Sequence, residues 1–167
     1  SVASRGLGDV YKRQHSGLLG DKSKPQVSEP RIERDGDILH FSVDVPADST
    51  HVEPYVRNYT VFRPFTIYQQ KQVPGDRNEV YLNYSSPNSD KHTTRFLQVW
   101  RNYDLPQGEV TGIEDVNELV VEQDRVIVER QRPEELPLDL SEALHVKAPD
   151  AIAVAYRRFF GVLGVEC

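Results

Sequence analysis

Methionine is absent from all 167 residues, position 1 included. The expectation is therefore a piece of a longer gene product, not a complete translated gene. Cysteine is nearly absent as well, with Cys167 the only one. A single thiol excludes an intrachain disulfide framework and any cysteine-held cluster within this chain. Basic excess is missing too. Lys and Arg number 20 against 26 Asp and Glu, a net charge of −6, whereas nucleic-acid-binding surfaces are usually basic. No apolar run approaches membrane-spanning length, and no apolar h-region follows a basic start. These absences imply a soluble, cytoplasmic chain without nucleic-acid or membrane partners. The length suffices for one domain with a real core.

The first fourteen residues, "SVASRGLGDVYKRQ", carry Gly6 and Gly8 but follow no strand and lack the third glycine of a dinucleotide loop. They have no apolar stripe either, so they are no targeting helix. Ser4–Gln14 resembles a sequencing adapter read through in frame, which agrees with the missing methionine. The division expected is a non-native segment over 1–14 and one domain over 15–167. His15 opens the second part, followed by the compact "SGLLG".

Beyond a polar, proline-containing loop, "GDKSKPQVSEPRIE", the chain turns β-rich. Asp35-Gly36 supplies tight-turn chemistry. Leu39, Phe41, Val43 and Val45 alternate with His40, Ser42 and Asp44, the period of a half-buried strand. "YTVFRPFTIYQQ", "EVYLNYSS" and "TTRFLQVWRNY" follow, separated by "VPGDRN" and "SPNSDKH", both dense in turn formers. Pro64 inside the first run implies an edge or a bulge. Short connections favour an antiparallel meander.

The pattern then becomes helical. No Gly or Pro interrupts Ile113 to Arg132, Pro133 is a natural stop, and Thr111 with Glu114 has capping-box spacing. "APDAIAVAYRRFFGVLG" reads as a second helix with Asp150 in its first turn and Gly164 near its end. The fold class is α+β: an antiparallel sheet packed on a long helix, with a C-terminal helix and a cavity between sheet and helix for a small apolar ligand.

One acid on the long helix is out of place. At about 100° per residue, Ile113, Val116, Val120, Ile127 and Gln131 share an arc of roughly 60°, and Asp124 falls about 20° from Ile113. Glu114, Asp115, Glu118, Glu122 and Glu129 point the other way. An unpaired buried carboxylate would cost on the order of several kcal/mol. Asp124 must be neutralised, paired with an arginine such as Arg95 or Arg101, or bound to a metal. A metal needs imidazole partners. His40 faces outward from its strand, His51 and His92 sit in turn-rich segments, and His145 belongs to a short extended segment. His15 is the fifth.

Several stretches resemble the C-terminal end of Rieske non-haem iron oxygenase α subunits, of the vanillate O-demethylase and phthalate dioxygenase-like group. They are "QDRVIVE", "QRPEELPLDLSEALHVKAPD", "AYRR" and, upstream, "HTTRF" with "RNYDL". The resemblance runs from Ser16 to Gly164, and "HSGLLG" is similar to the turn that follows the family's paired-histidine motif. It implies a helix-grip (START/Bet v 1-like) catalytic domain whose mononuclear Fe(II) is held by two histidines and a carboxylate. Here the carboxylate corresponds to Asp124 and the second histidine to His15. The first histidine would stand five residues earlier, where this chain has Val10. The implied [2Fe–2S] Rieske cluster, held by two Cys and two His, belongs to a preceding domain.

The implied reaction is oxygenation of an aromatic compound with O2, by O-demethylation or ring hydroxylation. A reductase or ferredoxin supplies electrons, and the intact enzyme is a homotrimer. The fragment itself would not turn over. Arg63, Arg95 and Arg101 are candidates for holding a substrate carboxylate through a bidentate fork. The competing class is a non-catalytic helix-grip module carrying a hydrophobic ligand, which gives no reason for Asp124 on the apolar stripe.

Overall fold

A computed structural model describes residues 28–47, 53–103, 111–132, 137–142, 145 and 150–164, with backbone only at 111–114 and 116. Six strands form one antiparallel sheet in chain order: β1 (Arg31–Asp35), β2 (Ile38–Val45), β3 (Tyr55–Phe62), β4 (Thr66–Val73), β5 (Arg77–Ser89) and β6 (His92–Arg101). Two α-helices follow, α1 (Thr111–Val128) and α2 (Ala151–Val162), with a 3-10 turn at Leu140–Glu142 between them. The meander read from the turn-former spacing is the observed topology.

The turns explain the register. Gly36, at φ +55, reverses the chain so that Asp35 pairs with Ile38. The strand before it reaches back to Arg31, into the stretch expected as loop, because Ile32 packs against the core. Pro64 marks neither an edge nor a bulge. β3 ends at Phe62 and β4 starts at Thr66, so Pro64 sits in the turn between two strands, where its missing N–H breaks no ladder bond. β5 also runs further than "EVYLNYSS": Pro87 and Ser89 still pair with β6 across a register shift, a bulge that absorbs the proline.

Direct cross-strand pairs assign every strand residue to a face. Leu39 opposes Val61, Val61 opposes Ile67, Ile67 opposes Asn83 and Asn83 opposes Leu97, one row of the inner face. α2 lies on this face. Phe159, 1% exposed, packs with Leu39, Phe41 and Val61, and Ile152, Ala155, Tyr156 and Leu163 close around them. The Tyr156 hydroxyl donates to the carbonyl of Pro64, tying α2 to the β3–β4 turn. Gly164, at φ +69, ends the helix, and its N–H donates to the Gly161 carbonyl at 3.2 Å.

Among the described residues, α2 is the helix whose side chains enter the buried core. α1 stops at Val128, four residues before the expected Arg132. The N–H groups of Arg130 and Gln131 donate three residues back, to Ile127 and Val128, and this tighter winding unwinds the helix ahead of Pro133. No helix of the described residues is long and apolar enough to cross a membrane.

Candidate functional site

The inner face divides into two parts. Under α2 it is apolar; towards the β4–β5 turn it is polar and still buried. Lys71 and Glu79 oppose each other across β4 and β5, 7% and 8% exposed. Lys71 Nζ donates to Glu79 Oε1 at 2.5 Å and to Tyr81 Oη at 3.1 Å. The Tyr81 hydroxyl donates to Glu79 Oε1, and Tyr103 Oη donates to Glu79 Oε2 at 2.7 Å. One carboxylate thus accepts from three donors. Burial pushes the Glu79 carboxyl up, but the charge of Lys71 and the bonds from Lys71, Tyr81 and Tyr103 outweigh it, leaving Glu79 below its usual value. Burial first raises the Tyr81 and Tyr103 hydroxyls far above theirs, followed by the charge of Glu79 for Tyr81 and the hydrogen bond to Glu79 for Tyr103. The knot holds an ionised carboxylate and two protonated phenols.

Tyr103 and Asn102 belong to the "RNYDL" stretch. Asn102 Nδ2 donates to the carbonyl of Asp76 at 2.8 Å, while its Oδ1 accepts from the Asn78 N–H at 2.8 Å. The guanidinium carbons of Arg77 and Arg101 lie 5.8 and 5.7 Å from the centre of the Tyr103 ring. The exit of β6 is thereby pinned to the start of β5. Next along the face, Arg57 Nη2 donates to the Tyr55 hydroxyl at 2.7 Å. This knot was missed in the sequence. Its signal is the "KQVPGDRNE" stretch, where a three-residue turn closes the Val73–Arg77 pair and so brings Lys71 opposite Glu79.

The residues singled out from sequence are spread more widely. Asp124 is partly shielded on α1, in line with partly shielded Val120 and Ile127, whereas Asp115, Glu118, Glu122 and Glu129 are exposed. Glu122 and Glu129 both pair with Arg125, at 2.5 and 2.9 Å. His15 lies outside the described residues, as do Val10, the 1–14 segment and His51. Arg101, opposite Glu79, and Arg95, opposite Ser85, both point to the inner face, six residues and about 20 Å apart along β6. Arg95 donates twice to Asn83 Oδ1. Arg63 stands apart from both, exposed in the β3–β4 turn at φ 56.

The other described histidines have local contacts. His40 meets Thr60 Oγ1 at 3.2 Å, His92 meets Ser89 Oγ at 3.3 Å, and His145 meets the Leu140 carbonyl at 3.0 Å. Among the described residues, no three His, Cys, Asp or Glu side chains gather around a point that would hold a metal. A shielded carboxylate such as Asp124 is an oxygen donor suited to Fe(II), but one donor is not a site. The described residues therefore do not make up an iron centre by themselves. An open groove of about 310 Å³ lies between β1 and α2, lined by Ile32, Arg34, Leu39, Ala155, Phe159 and Val162 among others.

Comparison with known proteins fits this architecture. Among curated protein sequences, none matches. Among solved structures, the NdmA QL mutant of Pseudomonas putida CBB5 with theobromine superposes with a TM-score of 0.71 at 22% identity. It covers 90% of this chain and 41% of its own. The same mutant with caffeine gives a TM-score of 0.73 at 24% identity, covering 90% of this chain and 42% of its own. This chain thus spans about two fifths of those proteins, with which it shares the fold. The model of the vanillate O-demethylase oxygenase C-terminal domain matches residues 15–164. The α+β sheet-and-helix chain belongs to the vanillate O-demethylase oxygenase C-terminal domain family.

Proposed function

We propose that this chain forms the C-terminal part of the oxygenase component of a Rieske-type enzyme acting on an aromatic compound. The observation that carries the reading is the family match over residues 15–164 taken together with Asp124. That residue is a carboxylate on the shielded side of α1, while its acidic neighbours face solvent. In the intact protein Asp124 and His15 would be two ligands of a mononuclear Fe(II), with a [2Fe–2S] Rieske cluster in a separate domain and a reductase or ferredoxin as electron donor. Bound there, iron would supply dioxygen activation beside the substrate. A homotrimer is the assembly proposed for the intact enzyme. The 1–14 segment is proposed to be foreign to the domain, and the chain as it stands to be without turnover.

The favoured reaction is oxidative demethylation. The family description names an O-demethylase, and the structural neighbours hold theobromine and caffeine, both methylated aromatic heterocycles. In such a reaction one oxygen atom enters a methyl C–H bond, and two electrons and two protons reduce the other to water. The hydroxymethyl product then loses formaldehyde and leaves the free hydroxyl or N–H. This chain's own contribution is to position the aromatic. The inner face offers apolar side chains under α2, and Arg95 and Arg101 present forks that match a carboxylate. Arg63, in an exposed turn, is the weakest of the three substrate candidates.

The test is product analysis with the intact oxygenase. Methoxy- and N-methyl-aromatics are incubated with reductant and O2, and formaldehyde is measured alongside oxygen uptake. Formaldehyde equal to the substrate consumed supports demethylation. Oxygen uptake yielding only ring-hydroxylated product would replace demethylation by ring hydroxylation. No oxidised product from any aromatic overturns the reading.

A further inference from the structure

The two adjacent arginines of the "AYRR" stretch, Arg157 and Arg158, sit in opposite environments on α2. Arg158 is exposed and stands with Ala155, Phe159 and Val162 along the groove facing β1. At about 100° per residue, Arg157 falls roughly 150° from the centre of that group, on the flank turned away from the groove. It is nevertheless 8% exposed, and Asp150, two turns earlier on the same stripe, is 4% exposed. Arg157 Nη1 is buried with no hydrogen-bond partner, and among the described residues no ion pair engages its guanidinium.

A guanidinium keeps its proton at any pH at which a protein folds, so its burial is not relieved by neutralisation as it is for lysine. Without a counter-charge such a group is strongly destabilising. Glu79 shows the contrast, because Lys71, Tyr81 and Tyr103 all donate to its buried carboxylate. The planar fork of an arginine matches the two oxygens of a carboxylate. A monoanion fits a single guanidinium. A dianion such as phosphate would leave excess negative charge on the stripe that already carries Asp150.

We infer that Arg157 is one half of a carboxylate-binding site whose other half lies outside this chain. The structural neighbours have room for one: this fold accounts for 41% and 42% of their chains, so more than half of each lies beyond the matched part. A carboxylate side chain of that remainder and a free carboxylic acid offer the fork the same chemistry. The inference rests on the proposed function only in that this chain is part of a longer protein. Neither the iron nor the demethylation enters it.

The experiment is urea unfolding of wild type, Arg157→Met and Arg157→Lys, each in the chain as it stands and in the intact protein. Every sample is run with and without acetate or benzoate at constant ionic strength. In the chain alone Arg157→Met should hold or raise the urea midpoint, because it removes an unanswered buried charge and keeps an apolar stem. In the intact protein the same substitution should lower the midpoint by about 1 M or more, because it strands the partner carboxylate. Arg157→Lys should recover part of that loss, since it restores the charge without the fork. Such a reversal of sign identifies a carboxylate carried by the rest of the protein. If the partner is a free acid, acetate or benzoate should raise the wild-type midpoint in both proteins and leave Arg157→Met unmoved. An Arg157→Met that acts alike in both proteins, with no wild-type response to either acid, overturns the inference. So does an Arg157→Met that fails to fold in the chain alone. These outcomes stand whether or not the intact protein oxidises an aromatic, so the inference and the oxygenase reading fail separately.

Discussion

Lys71 Nζ lies 2.5 Å from Glu79 Oε1, directly across the β4–β5 pair, and both side chains are buried on the inner face. Two tyrosine hydroxyls complete the coordination of that carboxylate. The pair is buried, so its worth shows when one member is removed. Lys71→Met should destabilise the domain by about 3–5 kcal/mol, because it strands a buried carboxylate. A urea midpoint unchanged from wild type would show that the pair is not closed in solution.

The same knot sets an acid limb. The folded-state pKa of Glu79 is held below its ordinary value. Its stabilisation is therefore complete above the unfolded-state value of about 4.3 and is lost as pH falls through the folded-state value. Stability measured from pH 7 down to pH 3 should decline less steeply in Glu79→Gln than in wild type. The Gln variant starts from a lower plateau, since the amide leaves Lys71 without its counter-charge. Parallel acid limbs in the two proteins would remove Glu79 from the account.

Phe159 carries the contact between α2 and the sheet. It is 1% exposed and packs against Leu39, Phe41 and Val61. Phe159→Ala should cost about 3–5 kcal/mol in the urea midpoint. The neighbouring exposed Val162→Ala should cost under about 0.5 kcal/mol. Equal effects would mean that α2 does not dock through Phe159.

Residues 1–14 are proposed to be foreign, and that too is measurable. A chain beginning at His15 should melt at the same temperature as the full chain, within error. A clear drop would show that the segment contributes to the domain.

Sequence periodicity carried the sheet further than it carried the site. Alternation at Leu39, Phe41, Val43 and Val45 located the inner face, and turn formers at Asp35-Gly36 and Pro74-Gly75 located the reversals. The misplacements came from prolines. Pro64 reads from sequence as an edge or a bulge but occupies a turn; "SPNSDKH" reads as a boundary, yet β5 runs through Pro87, which pairs with Thr93, and past a bulge to Ser89. Asp124 was legible because helical periodicity is local, and its side of α1 follows from spacing alone. The Lys71–Glu79–Tyr103 knot was not, because its members come from three elements and meet only once pairing is known.

Asp124 is proposed as an iron ligand of the intact oxygenase. The most direct measurement is iron content and turnover per folded molecule in Asp124→Asn, made in the full-length protein with its Rieske cluster assembled. The amide keeps the shape of the side chain and removes its charge. The expected result is a folded protein with an intact, reducible cluster, little mononuclear iron and no substrate oxidation. A folded Asp124→Asn enzyme with full mononuclear iron and normal turnover would contradict the claim.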